Sequence, residues 1–153
     1  MVELASIRSG IGDNMEDRYL FKAKRLDNGE WVEGALFDGE IRCVVGKEIK
    51  FSPYTEHECK IVGYEVDRDT ICQCAGLKDK NGKLIWENDI MVAHLDKDNP
   101  EDITYVIVAW RENGWVTIEN GSDDLNPIDD FTTENFEVVS TRFDNPELLE
   151  SEE

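Results

Sequence analysis

Four Asn-Gly dipeptides punctuate the chain: Asn28-Gly29, Asn81-Gly82, Asn113-Gly114 and Asn120-Gly121. Both residues tolerate positive φ, which a type I′ hairpin turn needs at its two central positions. Three of the pairs sit between runs with strand character. Residues 19–24 reverse at Asn28-Gly29 into 31–37, and 103–110 reverse at Asn113-Gly114 into 115–118. The run 105–110 is apolar on both faces, which predicts a central strand. Further strands are expected over 41–45, 48–51, 60–66, 90–94 and 136–141. No segment among them sustains a 3.6-residue period, so the pattern predicts a mostly β chain of short hairpins.

One helix is expected, at the end. Asn145 suits an N-cap, Pro146 the first helical position, and Glu147 complements the helix dipole; Leu148 and Leu149 offer a small apolar contact. Residues 96–102 and 122–130 read as exposed loops, dense in carboxylates and turn formers. Residues 1–14 read as a flexible leader, with Met15 as an alternative start, and 151–153 as an acidic tail. Between them, 15–150 fits one domain, long enough to bury a single core.

The charge is lopsided. Sixteen Lys and Arg stand against 35 Asp and Glu, for a net −19. Residues 1–90 hold 13 basic and 18 acidic side chains, whereas 91–153 hold 3 and 17. Such a field repels phosphate backbones, which argues against direct nucleic-acid binding, and it attracts basic protein surfaces. No apolar run approaches the ~20 residues of a membrane span. The first ten residues lack a basic segment followed by an apolar one, so no secretory signal is read and a cytoplasmic location in a bacterial host is expected.

Three segments together resemble a known family. Arg18-Tyr19-Leu20-Phe21-Lys22-Ala23-Lys24-Arg25, with Asp27-Asn28-Gly29-Glu30-Trp31-Val32-Glu33-Gly34, is similar to the opening of the YopX-like phage and prophage proteins. Gly76-Leu77-Lys78-Asp79-Lys80-Asn81-Gly82-Lys83, running on to Trp86-Glu87-Asn88-Asp89-Ile90, resembles their central signature. Asn145-Pro146-Glu147-Leu148-Leu149-Glu150 resembles their ending. The resemblance implies a mostly β fold with an SH3-type small barrel, preceded by an N-terminal hairpin region and followed by a short C-terminal helix. It also implies self-assembly in some members, and no established reaction, cofactor or catalytic residue. Asn88 stands where the family usually has Gly; Asn is the next most tolerant residue of positive φ, so the turn is expected to survive. Val139-Ser140-Thr141 replaces a Gly-containing strand.

Several residue groups invite a chemical reading, and each has a plainer one. Cys72 and Cys74 share a strand face, as do His57 and Cys59, and the four would make a zinc site if two strand pairs faced one another. Neither pair has the Cys-x₂-Cys spacing of zinc ribbons, and buried cysteine is the simpler account. His57 and His94 are the only histidines and lie in no recognisable nucleophile signature. Asp96-x-Asp98 opens like a calcium loop but lacks its Gly and spaced Glu. Asp123, Asp124, Asp129 and Asp130 form no recognisable two-metal framework. Asp79, Asn81, Gly82 and Asp89 are polar, yet each has a turn-forming explanation. Arg18, Lys22, Lys24 and Arg25 form a basic patch that suits either an acidic neighbouring subunit or a lysine-guarded edge strand. No catalytic, cofactor-binding or metal-binding residue is assigned.

The function expected is that of a non-catalytic interaction module which self-assembles. Its partners would be further copies of itself and basic host or phage proteins. The alternatives are an acidic nucleic-acid mimic that inhibits a host DNA-binding protein, and a metal-dependent enzyme.

Overall fold

The structure, a computed structural model, describes residues 17–39, 43–51, 59–112 and 114–150. The leader 1–14, Met15, His57, Asn113 and the tail 151–153 lie outside them, as does the side chain of Cys59. Two compact units divide the chain, one ending at Cys74 and the other starting at Ala75. Both are built from antiparallel strands with little helix. Among the described residues, no helix is long and apolar enough to cross a membrane.

In the first unit, β1 (Phe21–Lys24), β2 (Trp31–Asp38), β3 (Cys43–Phe51) and β4 (Cys59–Glu65) pair in sequence order. β1 also pairs with the start of β5 (Cys72–Lys78). β1 is therefore an inner strand, which removes the reading of Lys22 and Lys24 as edge guards. The two strands expected over 41–45 and 48–51 are one strand, β3, whose pairing with β4 slips at a bulge between Gly46 and Glu48. A bulge leaves a polar interruption in the sequence without ending the strand. An isolated bridge, Arg25 to Val66, ties the end of β4 back to β1. Ala23, Val32, Val45 and Val66 form the core, with Leu36, Tyr64 and Ile71 packed around it.

Glycines set how closely these strands approach. A Cβ on Gly34 would stand 2.3 Å from the Gly46 carbonyl oxygen, and one on Gly63 2.4 Å from that of Val45. Both obstacles are main chain, which cannot rotate away. Glycines on β2 and β4 thus let these backbones approach β3 where a side chain would collide with its main chain.

The second unit takes the end of β5, then β6 (Leu84–Trp86), β7 (Asp89–Ala93), β8 (Thr104–Arg111), β9 (Gly114–Glu119), β10 (Leu125–Pro127), α1 (Asp130–Asn135) and β11 (Glu137–Thr141). Its sheet runs β10-β9-β8-β7-β11, which puts β8 at the centre, as its two-faced apolar sequence predicts. Closure of this sheet is not seen: among the described residues β10 and β11 are its two free edges. The core gathers Ala75, Ile85, Met91, Ala93, Val106, Val108 and Phe136.

The turn chemistry differs from the type I′ expectation. Gly29, Gly82 and Gly121 have positive φ, but among described non-glycine residues only Asn88 and Glu112 do. Gly82 N donates to the Asp79 carbonyl and Asp79 N to that of Lys83. That is a three-residue loop ending in a left-handed glycine, not a two-residue loop. The β8–β9 reversal lies one residue earlier than expected, because Arg111 pairs with Gly114 and Glu112 takes φ 57°. Asn88 adopts φ 69°, so the left-handed turn survives the replacement of Gly. The C-terminal helix is a single 3-10 turn, Pro146–Leu149, and the Asn145 side chain does not cap its backbone. Instead, Asn145 Nδ2 donates to Glu147 Oε1 at 2.7 Å.

Candidate functional site

The central signature uses its polar groups on its own backbone. Asp79 is buried, and its Oδ1 accepts from the amides of Asn81 and Lys83, each at 2.9 Å. Its Oδ2 accepts from Val138 N at 2.8 Å. Asn81 Nδ2 donates to Glu137 Oε2, and Lys80 N to the Phe136 carbonyl. One carboxylate therefore closes the β5–β6 turn and fastens it to β11. Asp89, 1% exposed, accepts from Trp86 N at 2.8 Å. Ile85 and Trp86 anchor the stretch in the interior, as their apolar run predicts. These are structural carboxylates, and charge-assisted bonds to backbone amides are how a carboxylate is kept inside a fold.

Asp96 performs a similar task on the surface. Its Oδ1 accepts from the amides of Asp98 and Asn99, and its Oδ2 from Asn99 Nδ2. Those bonds, the Asn99 side chain first, hold its carboxyl below the usual aspartate range. His94 Nδ1 meets the Pro100 carbonyl at 2.8 Å across the same loop. Cys72 and Cys74 are both fully buried, and Cys72 Sγ donates to the Thr70 carbonyl. Among the described residues, no three His, Cys, Asp or Glu gather closely enough to hold a metal ion.

The basic patch is largely engaged within its own unit. The Lys22 and Lys24 ammonium groups lie 4.8 and 5.4 Å from the Trp31 ring centroid, and Lys22 is buried. Arg25 stacks 4.0 Å above Tyr64 and pairs with Asp27, which raises its own pKa and lowers that of Asp27. Arg18 lies over Tyr19.

A further candidate is a cleft of ≈ 260 Å³ in the second unit. Val106 and Phe136, both buried, are its apolar wall. Thr104, Thr117 and Glu119 come from β8 and β9, Asn126 and Pro127 from β10. Leu95, Asp129, Phe131 and Thr132 complete it. Register explains the grouping: Val106 pairs with Glu119, so the two share a sheet face, and Thr104 and Thr117 alternate onto it. α1 is set in place by a capping box. Asp129 Oδ1 accepts from Thr132 N at 3.2 Å, and Asp129 N donates to Thr132 Oγ1 at 3.3 Å. That cap leaves Phe131 at the rim, 55% exposed, with Leu95 42% exposed.

Chemically the cleft combines aromatic and aliphatic surface with carboxylates and hydroxyls. Among the described residues, no imidazole or thiol lines it. Sequence reasoning placed Asp129 and Asp130 in a loop and missed α1, although Asp129-x-x-Thr132 has the spacing of a reciprocal cap. The cleft itself had no sequence signal, because its lining is drawn from separate pieces of chain.

Comparison with known proteins places the chain. A search of curated proteins gives no match. Among solved structures, the chain is similar to the crystal structure of protein EF1440 from Enterococcus faecalis, with 28% identity and a TM-score of 0.57. The match covers 85% of this chain and 96% of that one. The family model for YopX protein matches residues 20–150, which takes in the opening hairpin, the 76–90 signature and the 3-10 turn at Pro146–Leu149. The chain therefore belongs to the YopX protein family.

Proposed function

We propose that the chain is a non-catalytic protein-interaction module of phage or prophage origin, acting in the bacterial cytoplasm and assembling with copies of itself. The observation that carries this reading is the cleft with exposed Phe131 and Leu95 on its rim, beside polar signature residues already used in turns. A rim of this kind suits contact with another protein. The meander β7-β8-β9-β10, with a helical turn before β11 returns beside β7, supports reading the second unit as a small SH3-type barrel, open at one seam. Small barrels serve many functions, so the site carries the argument and the fold does not.

Nucleic-acid mimicry is the weaker alternative. Asp79, Asp96 and Asp129 are drawn into turns and a cap, where a mimic would array its carboxylates in a row. Light scattering on the purified chain, over a range of concentration and salt, tests self-assembly. The expected result is a defined oligomer that loosens with salt. A monomer under every condition would end the assembly part of the proposal.

A further inference from the structure

We propose that the cleft between β8–β9, β10 and α1 binds a lysine or arginine side chain presented by an extended segment of another protein. The inference rests on the interaction-module reading and names the chemistry of its partner. Two independent features of the cleft favour a cation. Glu119 and Asp129 put carboxylates in the lining, and Glu119 makes no side-chain hydrogen bond or ion pair among the described residues. Phe131 and Phe136 add aromatic rings, whose faces attract positive charge. Leu95, Val106 and Pro127 supply apolar surface for the methylene stem of a long cationic side chain.

Size and charge agree with that occupant. A space of ≈ 260 Å³ suits one long side chain and is smaller than a pocket for a drug-sized ligand. The unit containing it holds 20 carboxylates against 6 Lys and Arg, so its field draws a basic segment in and repels an acidic or phosphorylated one. The basic patch of a second copy is a poor source, because Lys22 is buried, Lys24 lies over the Trp31 ring and Arg25 is paired with Asp27. A separate basic protein is therefore the committed source.

The test is a titration of the full chain, followed by amide NMR shifts, with acetyl-Ala-Arg-Ala-amide. The same peptide with Gln or Glu at the centre, and spermidine, serve as comparisons. The arginine peptide is expected to shift Thr104, Thr117, Glu119 and Phe131 together, with millimolar affinity, while the glutamine and glutamate peptides do not. Glu119→Gln and Phe131→Ala should each weaken binding at least fivefold. Asp69→Asn, in the other unit, should leave it unchanged. No shift at 20 mM arginine peptide, equal weakening by Asp69→Asn, or spermidine binding that ignores Phe131→Ala would each overturn the assignment. So would a dimer that dissociates on Glu119→Gln in a chain indifferent to the peptide, because that result makes a second copy the occupant. A monomeric chain that still binds the arginine peptide removes self-assembly and keeps the cleft, so the two proposals fail separately.

Discussion

Asp79 and Asp96 open two turns of the second unit with nearly the same chemistry. Each carboxylate accepts from the amide two residues ahead, and each takes three hydrogen bonds. They differ in reach. Every partner of Asp96 lies within three residues, on an exposed loop, whereas Asp79 is buried and holds Val138, 59 residues away. A local bond forms in any compact loop, including in the unfolded ensemble, so it adds little to the folding free energy. A bond across 59 residues exists only when β5, β6 and β11 are assembled. The lesson is that sequence distance and burial, more than the count of hydrogen bonds, decide what a turn carboxylate contributes.

Substitution can break this comparison. The largest effect is expected for Asp79→Ala, which strands three backbone amides in a partly buried setting. Urea unfolding should show a loss of about 3 kcal/mol, because a bond to a charged group is worth roughly 1.5–3 kcal/mol and some amides will recruit water. A loss no greater than that of Asp96→Ala would erase the distinction. Next comes Gly82→Val. Gly82 holds φ +81° in open space, so the cost is purely conformational, at about 2 kcal/mol for a β-branched residue. A variant folding with wild-type stability would show that the turn can reshape.

The smallest effect belongs to Asp96→Ala. Global unfolding should be unchanged within error, while the amides of Asp98 and Asn99 exchange faster with solvent. The pH dependence sharpens the point. The folded pKa of Asp96 is depressed, so whatever it stabilises is present above the ordinary aspartate value near ~3.9 and lost as pH falls through the lower folded value. Carboxyl NMR titration should find Asp96 ionised at a pH where exposed aspartates have begun to protonate; an ordinary midpoint would remove its turn bonds from solution.

How legible these features are follows from their range. β8 could be read because both its faces are apolar, a property written into consecutive residues. The left-handed position of Asn88 could be read from the family resemblance together with the tolerance of Asn for positive φ. By contrast, an Asn-Gly pair marks a turn but does not fix how many residues the loop spans, which is why Asn81-Gly82 closes a longer turn than a type I′ loop. α1 covers six residues, too few to display a helical period, and only its Asp129–Thr132 cap was there to be found. The inner position of β1 and the cleft depend on which strands meet, and no local pattern records that.

Gly34 and Gly63 carry a consequence for how these strands can vary. Where one side chain crowds another, a second substitution can restore the fit. Here the neighbouring atom is a carbonyl oxygen or an α-carbon of another strand, so no compensating change exists in the residue alphabet. A chain that keeps this close approach can vary at the exposed positions of these strands yet needs glycine at 34 and 63. Two sites far apart in the chain are thereby held to glycine by the main chain of one strand, β3, without ever exchanging a side-chain contact.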